Sequence, residues 1–106
     1  RNDNTLFVMQ VPLGLDENYL NVDYISLYPN PTKSRYNIQI ANQKKEIYNM
    51  MMTDMYGKIL LSEKINHQAG NKIYDFDINQ FSTGVYMVMV FDKNQNVLFA
   101  QKMIKE

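Results

Sequence analysis

The sequence predicts an all-β domain, an antiparallel sandwich or barrel of about seven short strands. Three observations carry this. Apolar and polar residues alternate at period two in several stretches, the pattern of a strand with one buried face. Turn-forming residues break these stretches about every ten to twelve residues. The composition suits pleated surfaces and tight turns, with 8 Tyr, 5 Phe and abundant Asn.

The elements follow in order. Tyr24–Tyr28 is a first strand, stopped by Pro29, Asn30 and Pro31. In Tyr36–Ala41, Tyr36, Ile38 and Ile40 alternate with Asn37 and Gln39. Asn42–Lys45 is a polar turn. In the next run Tyr48, Met50 and Met52 share one face and Met51 points the other way. Met55-Tyr56-Gly57 is a short loop with Gly where a left-handed backbone is needed. Ile59, Leu61 and Ile65 fit a mostly one-sided strand, and Asn66–Asn71 is a turn containing Gly70. Ile73–Ile78 alternates again, and Asp77–Phe81 allows at most a short helical bend capped by its Asp. Asn79–Gly84 is a longer connection. The continuous apolar run Val85–Phe91 predicts a central strand buried on both faces. Asp92–Asn96 closes a last hairpin into Val97–Ile104, whose faces the pattern leaves ambiguous.

The 106 residues fit one domain. Residues 1–23 read as the end of a preceding region plus a linker. Leu6–Val11 could form a strand, but Pro12, Gly14, Asp16, Glu17 and Asn18 break its continuation. The compact domain is expected at 24–106. A chain starting at Arg1 is expected to be a piece of something longer.

Composition excludes several functions. With 11 basic and 11 acidic residues the chain lacks the basic excess of a nucleic-acid binder. The absence of Cys removes disulfides, thiolate metal sites and a cysteine nucleophile. No apolar run reaches about 18 residues, so no direct membrane insertion is expected.

No catalytic group, cofactor or metal site emerges. His67, the sole His, sits in a polar stretch with Asn66, Gln68 and Gly70 and reads as an inert, exposed turn residue. Asp75 and Asp77 share a strand face, predicted to meet solvent. With Asn79 they lack the Gly and distal Glu of a calcium loop. The methionines, Met50 to Met52 with Met55, Met87 and Met89, read as flexible core filler. No phosphate-binding, metalloprotease or nucleophile-elbow motif is present.

Four segments, in order, resemble the type A C-terminal sorting domain of the type IX secretion system. Ile25–Pro31 carries the opening motif Tyr28-Pro29-Asn30-Pro31. Met52–Lys58 is similar to the family hairpin, with Asp54, Gly57 and Lys58 as its matching residues. Asp77–Tyr86 is similar to a third stretch, matched at Asp77, Phe81, Gly84 and Tyr86. Lys102-Met103-Ile104-Lys105 is similar to the lysine-containing terminus. Asn79 and Phe81 depart from the family's usual Ser and Leu, and no Gly follows Pro31. Local chemistry gives these residues turn and core roles. Asp54 can accept backbone N–H groups across its turn. Phe81 can drop beneath its loop, and Tyr86 can bury its ring while its hydroxyl finds a partner.

The resemblance implies an immunoglobulin-like β-sandwich that is not an enzyme. It implies a cargo protein taken from the periplasm through the type IX outer-membrane translocon to the cell surface. It also implies a sortase that removes the domain and joins the cargo to anionic lipopolysaccharide. The cut is expected within Pro12–Asp23, and the functional surface in the folded shape and an exposed tail. The alternative from another class is an immunoglobulin-like binding or adhesion module of a surface protein. An exposed terminal strand also leads to the expectation of homodimer formation by edge-strand pairing, with Leu6–Val11 able to supply such a strand.

Overall fold

The computed structural model describes residues 24–106. Seven strands form two antiparallel sheets: β1 (Tyr24–Tyr28), β2 (Arg35–Asn42), β3 (Glu46–Thr53), β4 (Ile59–His67), β5 (Gly70–Asp77), β6 (Gly84–Phe91) and β7 (Val97–Lys105). One sheet has the order β1-β2-β5 and the other β4-β3-β6-β7. The all-β sandwich predicted above is what forms, with no helix among the described residues. The predicted strand Leu6–Val11 and the linker lie outside them.

Period-two alternation decides which side chains meet between the sheets. Tyr36, Ile38 and Ile40 of β2 face Tyr48, Met50 and Met52 of β3 and Val88 and Val90 of β6, all nearly or wholly buried. Ile65, Phe76, Ile78, Tyr86 and Met103 complete the core. Met51 points outward and is half-buried, as its register predicts. The Tyr36 hydroxyl donates to Met50 Sδ at 3.1 Å, and burial raises its pKa far above the ordinary tyrosine range.

Several expectations are corrected. β6 is central, but it is buried on one face only. Val85 is 39% exposed, and Met87, Met89 and Phe91 are half-buried, because no described residue covers the outer face of the four-stranded sheet. The Asn66–Asn71 turn shrinks to Gln68 and Ala69, since β4 continues to His67 and β5 begins at Gly70. His67 is therefore a strand residue, 1% exposed. β7 turns Met103 into the core, while Leu98, Ala100, Lys102 and Ile104 face out.

Two hairpins use one turn. In β3–β4, Asp54 Oδ1 accepts from the N–H groups of Tyr56 (2.8 Å) and Lys58 (3.0 Å), and the Asp54 carbonyl accepts from Gly57. In β6–β7, Asp92 Oδ1 accepts from the N–H groups of Asn94 (2.8 Å) and Asn96 (2.9 Å), and the Asp92 carbonyl accepts from Gln95. The fourth residue has positive φ in both, 90° at Gly57 and 70° at Gln95.

Candidate functional site

The connections are tight, so strand direction fixes where each loop lies. β1, β3, β5 and β7 all run toward one end of the sandwich. The segment after Tyr28, the turn Asp54–Lys58, the connection Ile78–Thr83 and the end of β7 therefore share one pole. These are the four motif segments. Tyr24, where the described domain begins, lies at the opposite pole, paired with Ala41.

At the motif pole the opening motif grips the last strand. β7 pairs with β6 on one side, and no strand among the described residues pairs with its other edge. Asn30 fills part of it: its Nδ2 donates to the Lys102 carbonyl at 2.8 Å, and its Oδ1 accepts from Ile104 N–H at 3.0 Å. A side-chain amide thereby stands in for a backbone peptide group. Thr32 extends the ladder in parallel: its N–H donates to the Ile104 carbonyl and its carbonyl accepts from Glu106 N–H, both at 2.8 Å. Tyr28, Pro29 and Pro31 are exposed around this latch, and both X–Pro bonds are cis.

The third motif braces the same end. Asp77 ends β5 and accepts from Asn79 N–H at 2.9 Å, the capping role read from sequence. Phe81 is half-buried against Tyr86, ring centroids 6.5 Å apart, and the Tyr86 hydroxyl donates to the Ser82 carbonyl. Lys105 Nζ donates to the Phe81 carbonyl, which ties the fourth motif to the third. Gly84 opens β6 at φ 155°. The expected exposed tail is thus a latched edge strand, with Lys102 exposed, Met103 buried and Lys105 half-buried.

Sequence reading missed two residues here. Thr32 completes the latch, though nothing in its own type announces it. Arg35 lies opposite Asp77 in register; its Nε donates to Asp75 Oδ2 at 2.7 Å, and Nη1 lies 3.4 Å from Asp77 Oδ2. The hydrogen bond to Asp75 holds the Arg35 guanidinium protonated more firmly than usual. A depression of about 720 Å³ beside it is lined by Pro29, Pro31, Lys33, Arg35 and Glu106 among others.

The opposite pole holds a buried polar cluster. His67 Nε2 lies 3.0 Å from the Asn42 carbonyl, which only accepts, so that nitrogen carries the hydrogen. Nδ1 then accepts from the Tyr74 hydroxyl at 2.8 Å. Asn42 Nδ2 donates to the Tyr48 hydroxyl at 2.7 Å. Desolvation raises the Tyr74 pKa. Both imidazole nitrogens are committed to bracing the strand ends, so the cluster offers no base to a nucleophile.

A sandwich whose distinctive residues cap an edge and brace turns at one pole is a structural framework. The chain belongs to the secretion system C-terminal sorting domain family, which matches residues 26–106. It is a type IX sorting signal, and that family is not an enzymatic one. The chain is also 26% identical over 93 residues to an endo-acting ulvan lyase from Formosa agariphila, covering 88% of this chain and 17% of that protein. A β-glucosidase from Listeria innocua, solved with glucose, aligns at a TM-score of 0.49 and 16% identity, over 79% of this chain and 16% of that one.

Proposed function

We propose that this domain directs a cargo protein through the type IX outer-membrane translocon, and that the translocon reads the pole at which the four motifs meet. The convergence of Tyr28–Pro31, Asp54–Lys58, Asp77–Tyr86 and Lys102–Lys105 on one end is the observation that supports this. Recognition then belongs to a folded shape. Asn30, Gly57, Gly84 and Lys105 hold that shape; Lys58 and Lys102 face outward from it. The described domain begins at the opposite pole, at Tyr24. The similarity to about one-sixth of a larger lyase supports a module carried on a longer protein.

The same reading includes periplasmic transit, removal of the domain by a surface sortase and transfer of the cargo to anionic lipopolysaccharide. The cut lies within Pro12–Asp23, outside the described residues. It further includes homodimer formation by edge-strand pairing, for which β1, β4, β5 and the open part of β7 are the edge strands among the described residues. A reporter fused to residues 1–106 and produced in a bacterium with this system tests the main claim. Surface exposure of the fusion, with the bare reporter held in the periplasm, is expected. Equal retention of both would overturn it. Gel filtration over a range of concentrations tests the dimer; a constant monomer volume would remove it.

A further inference from the structure

The two Asp-led turns form an internal comparison. The hydrogen bonds of their backbone N–H groups match position for position, and their fourth residues both have positive φ; the Asp92 turn adds one side-chain bond, from Asn96 Nδ2 to Asp92 Oδ2. The turn at the pole opposite the motifs carries Lys93 and Asn94 at its second and third positions, both exposed. The turn at the motif pole carries Met55 and Tyr56 there. Met55 is 54% exposed and Tyr56 98%, the most exposed large apolar side chain among the described residues. The backbone geometry plainly accepts polar residues at these positions, so folding does not require the apolar pair.

An exposed aromatic on a braced turn is suited to act as an anchor. Its ring offers large contact area and few rotatable bonds, and the turn beneath it is already ordered before binding. Four hydrogen bonds hold Asp54–Lys58, and none involves the Met55 or Tyr56 side chain. Charge narrows the partner. Of the acidic groups at this pole, Asp54 accepts two N–H groups of its own turn, Asp75 and Asp77 pair with Arg35, and Glu106 is exposed; against them stand Lys58 on the same turn and the exposed Lys33 and Lys102. The side chains of these three lysines make no ion pair among the described residues. Residues 24–106 hold ten basic and seven acidic side chains, although the whole chain is neutral.

We infer that Tyr56, flanked by Met55, is the anchor by which this domain docks on a protein of the export machinery, and that the receiving site is an apolar cleft with a carboxylate-bearing rim. The ring and the Met side chain enter the cleft, and Lys58 meets the rim. This rests on the sorting-signal reading given above.

The test uses the full chain fused to a reporter in an export-competent host. The decisive variant takes its residues from the twin turn: Met55→Lys with Tyr56→Asn. Its melting temperature is expected to match the parent, because the same turn already holds these residues elsewhere. Its export is expected to fall about tenfold or more, the scale of losing a buried aromatic anchor. Tyr56→Phe is expected to keep most export. Lys58→Glu is expected to lower it several-fold, since it sets like charges against each other. Ile73→Ala, at an apolar residue outside this pole that is 58% exposed, close to the 54% of Met55, is expected to change nothing.

Undiminished export of the double variant alongside an exported parent overturns the anchor alone. So does an equal loss in Ile73→Ala, or a loss in Tyr56→Phe as large as in the double variant. Failure of the parent to be exported overturns the sorting reading and the anchor with it. Tyr56-dependent sedimentation of the purified chain with anionic phospholipid vesicles would assign the tip to a membrane surface and overturn the protein cleft.

Discussion

Asp54 and Asp92 perform the same task at opposite poles, and small differences between their turns have measurable consequences. Gln95 holds a left-handed backbone that glycine adopts without steric cost, as Gly57 does in the twin. Gln95→Gly is expected to stabilise the fold by about 0.5–1 kcal/mol, read as a higher midpoint in urea. Backbone N–H of Asn96 is the largest influence holding the Asp92 carboxyl below its usual range, followed by the Asn96 side chain. A lowered folded pKa means folding favours the carboxylate. That contribution is complete above the unfolded value and disappears as pH falls through the folded one. An NMR titration is expected to place Asp92 below 3.8, its ordinary value. The alternation of Tyr36, Ile38 and Ile40 was legible in the sequence because a strand with one wet face must alternate. The burial of His67 was not, because two tyrosines and a carbonyl from other strands satisfy its ring.

At the scale of elements, β7 is an edge strand whose exposure is partly managed by Asn30 and Thr32. Open edges invite pairing with other chains, and a side-chain amide that mimics a peptide group closes one without adding a strand. Asn30→Ala removes a donor and an acceptor at once, each worth about 0.5–1.5 kcal/mol net. Amide exchange at Ile104 and Glu106 is expected to accelerate about tenfold, while exchange at Val88 in β6 stays near the parent rate. Asn30→Asp keeps an acceptor for Ile104 N–H but sets a carboxylate oxygen against the Lys102 carbonyl, so partial loss is expected. The sequence announced an interruption at Tyr28–Pro31, since proline ends a strand. It could not announce the grip on β7, because the partners stand 72 and 74 residues apart.

For the molecule as a whole, removing the tail and reading the tail are different experiments. Deletion of Lys102–Glu106 takes Met103 out of the core, where it is wholly buried, together with the latch. The loss of Met103 alone is expected to cost about 2–5 kcal/mol. A deleted chain that fails to be exported therefore reports folding as much as recognition. Lys102→Ala separates the two. Its side chain is exposed, so its melting temperature is expected to match the parent, and any fall in export belongs to the reading surface. Comparing thermal melts and surface export of both variants checks this.

The sequence by itself determined the strand content, the inward faces of β2 and β3, the Asp-led turn at Gly57 and the four motifs with their order. These are local properties, set by period-two alternation, proline and the chemistry of Asp and Gly. Only the tertiary structure decided that the four motifs meet at one pole and that the last strand is latched. Among the described residues it also left the outer face of β6 half-bare. Those outcomes depend on which strands become neighbours and which edges stay open, and residues far apart in the chain settle that together.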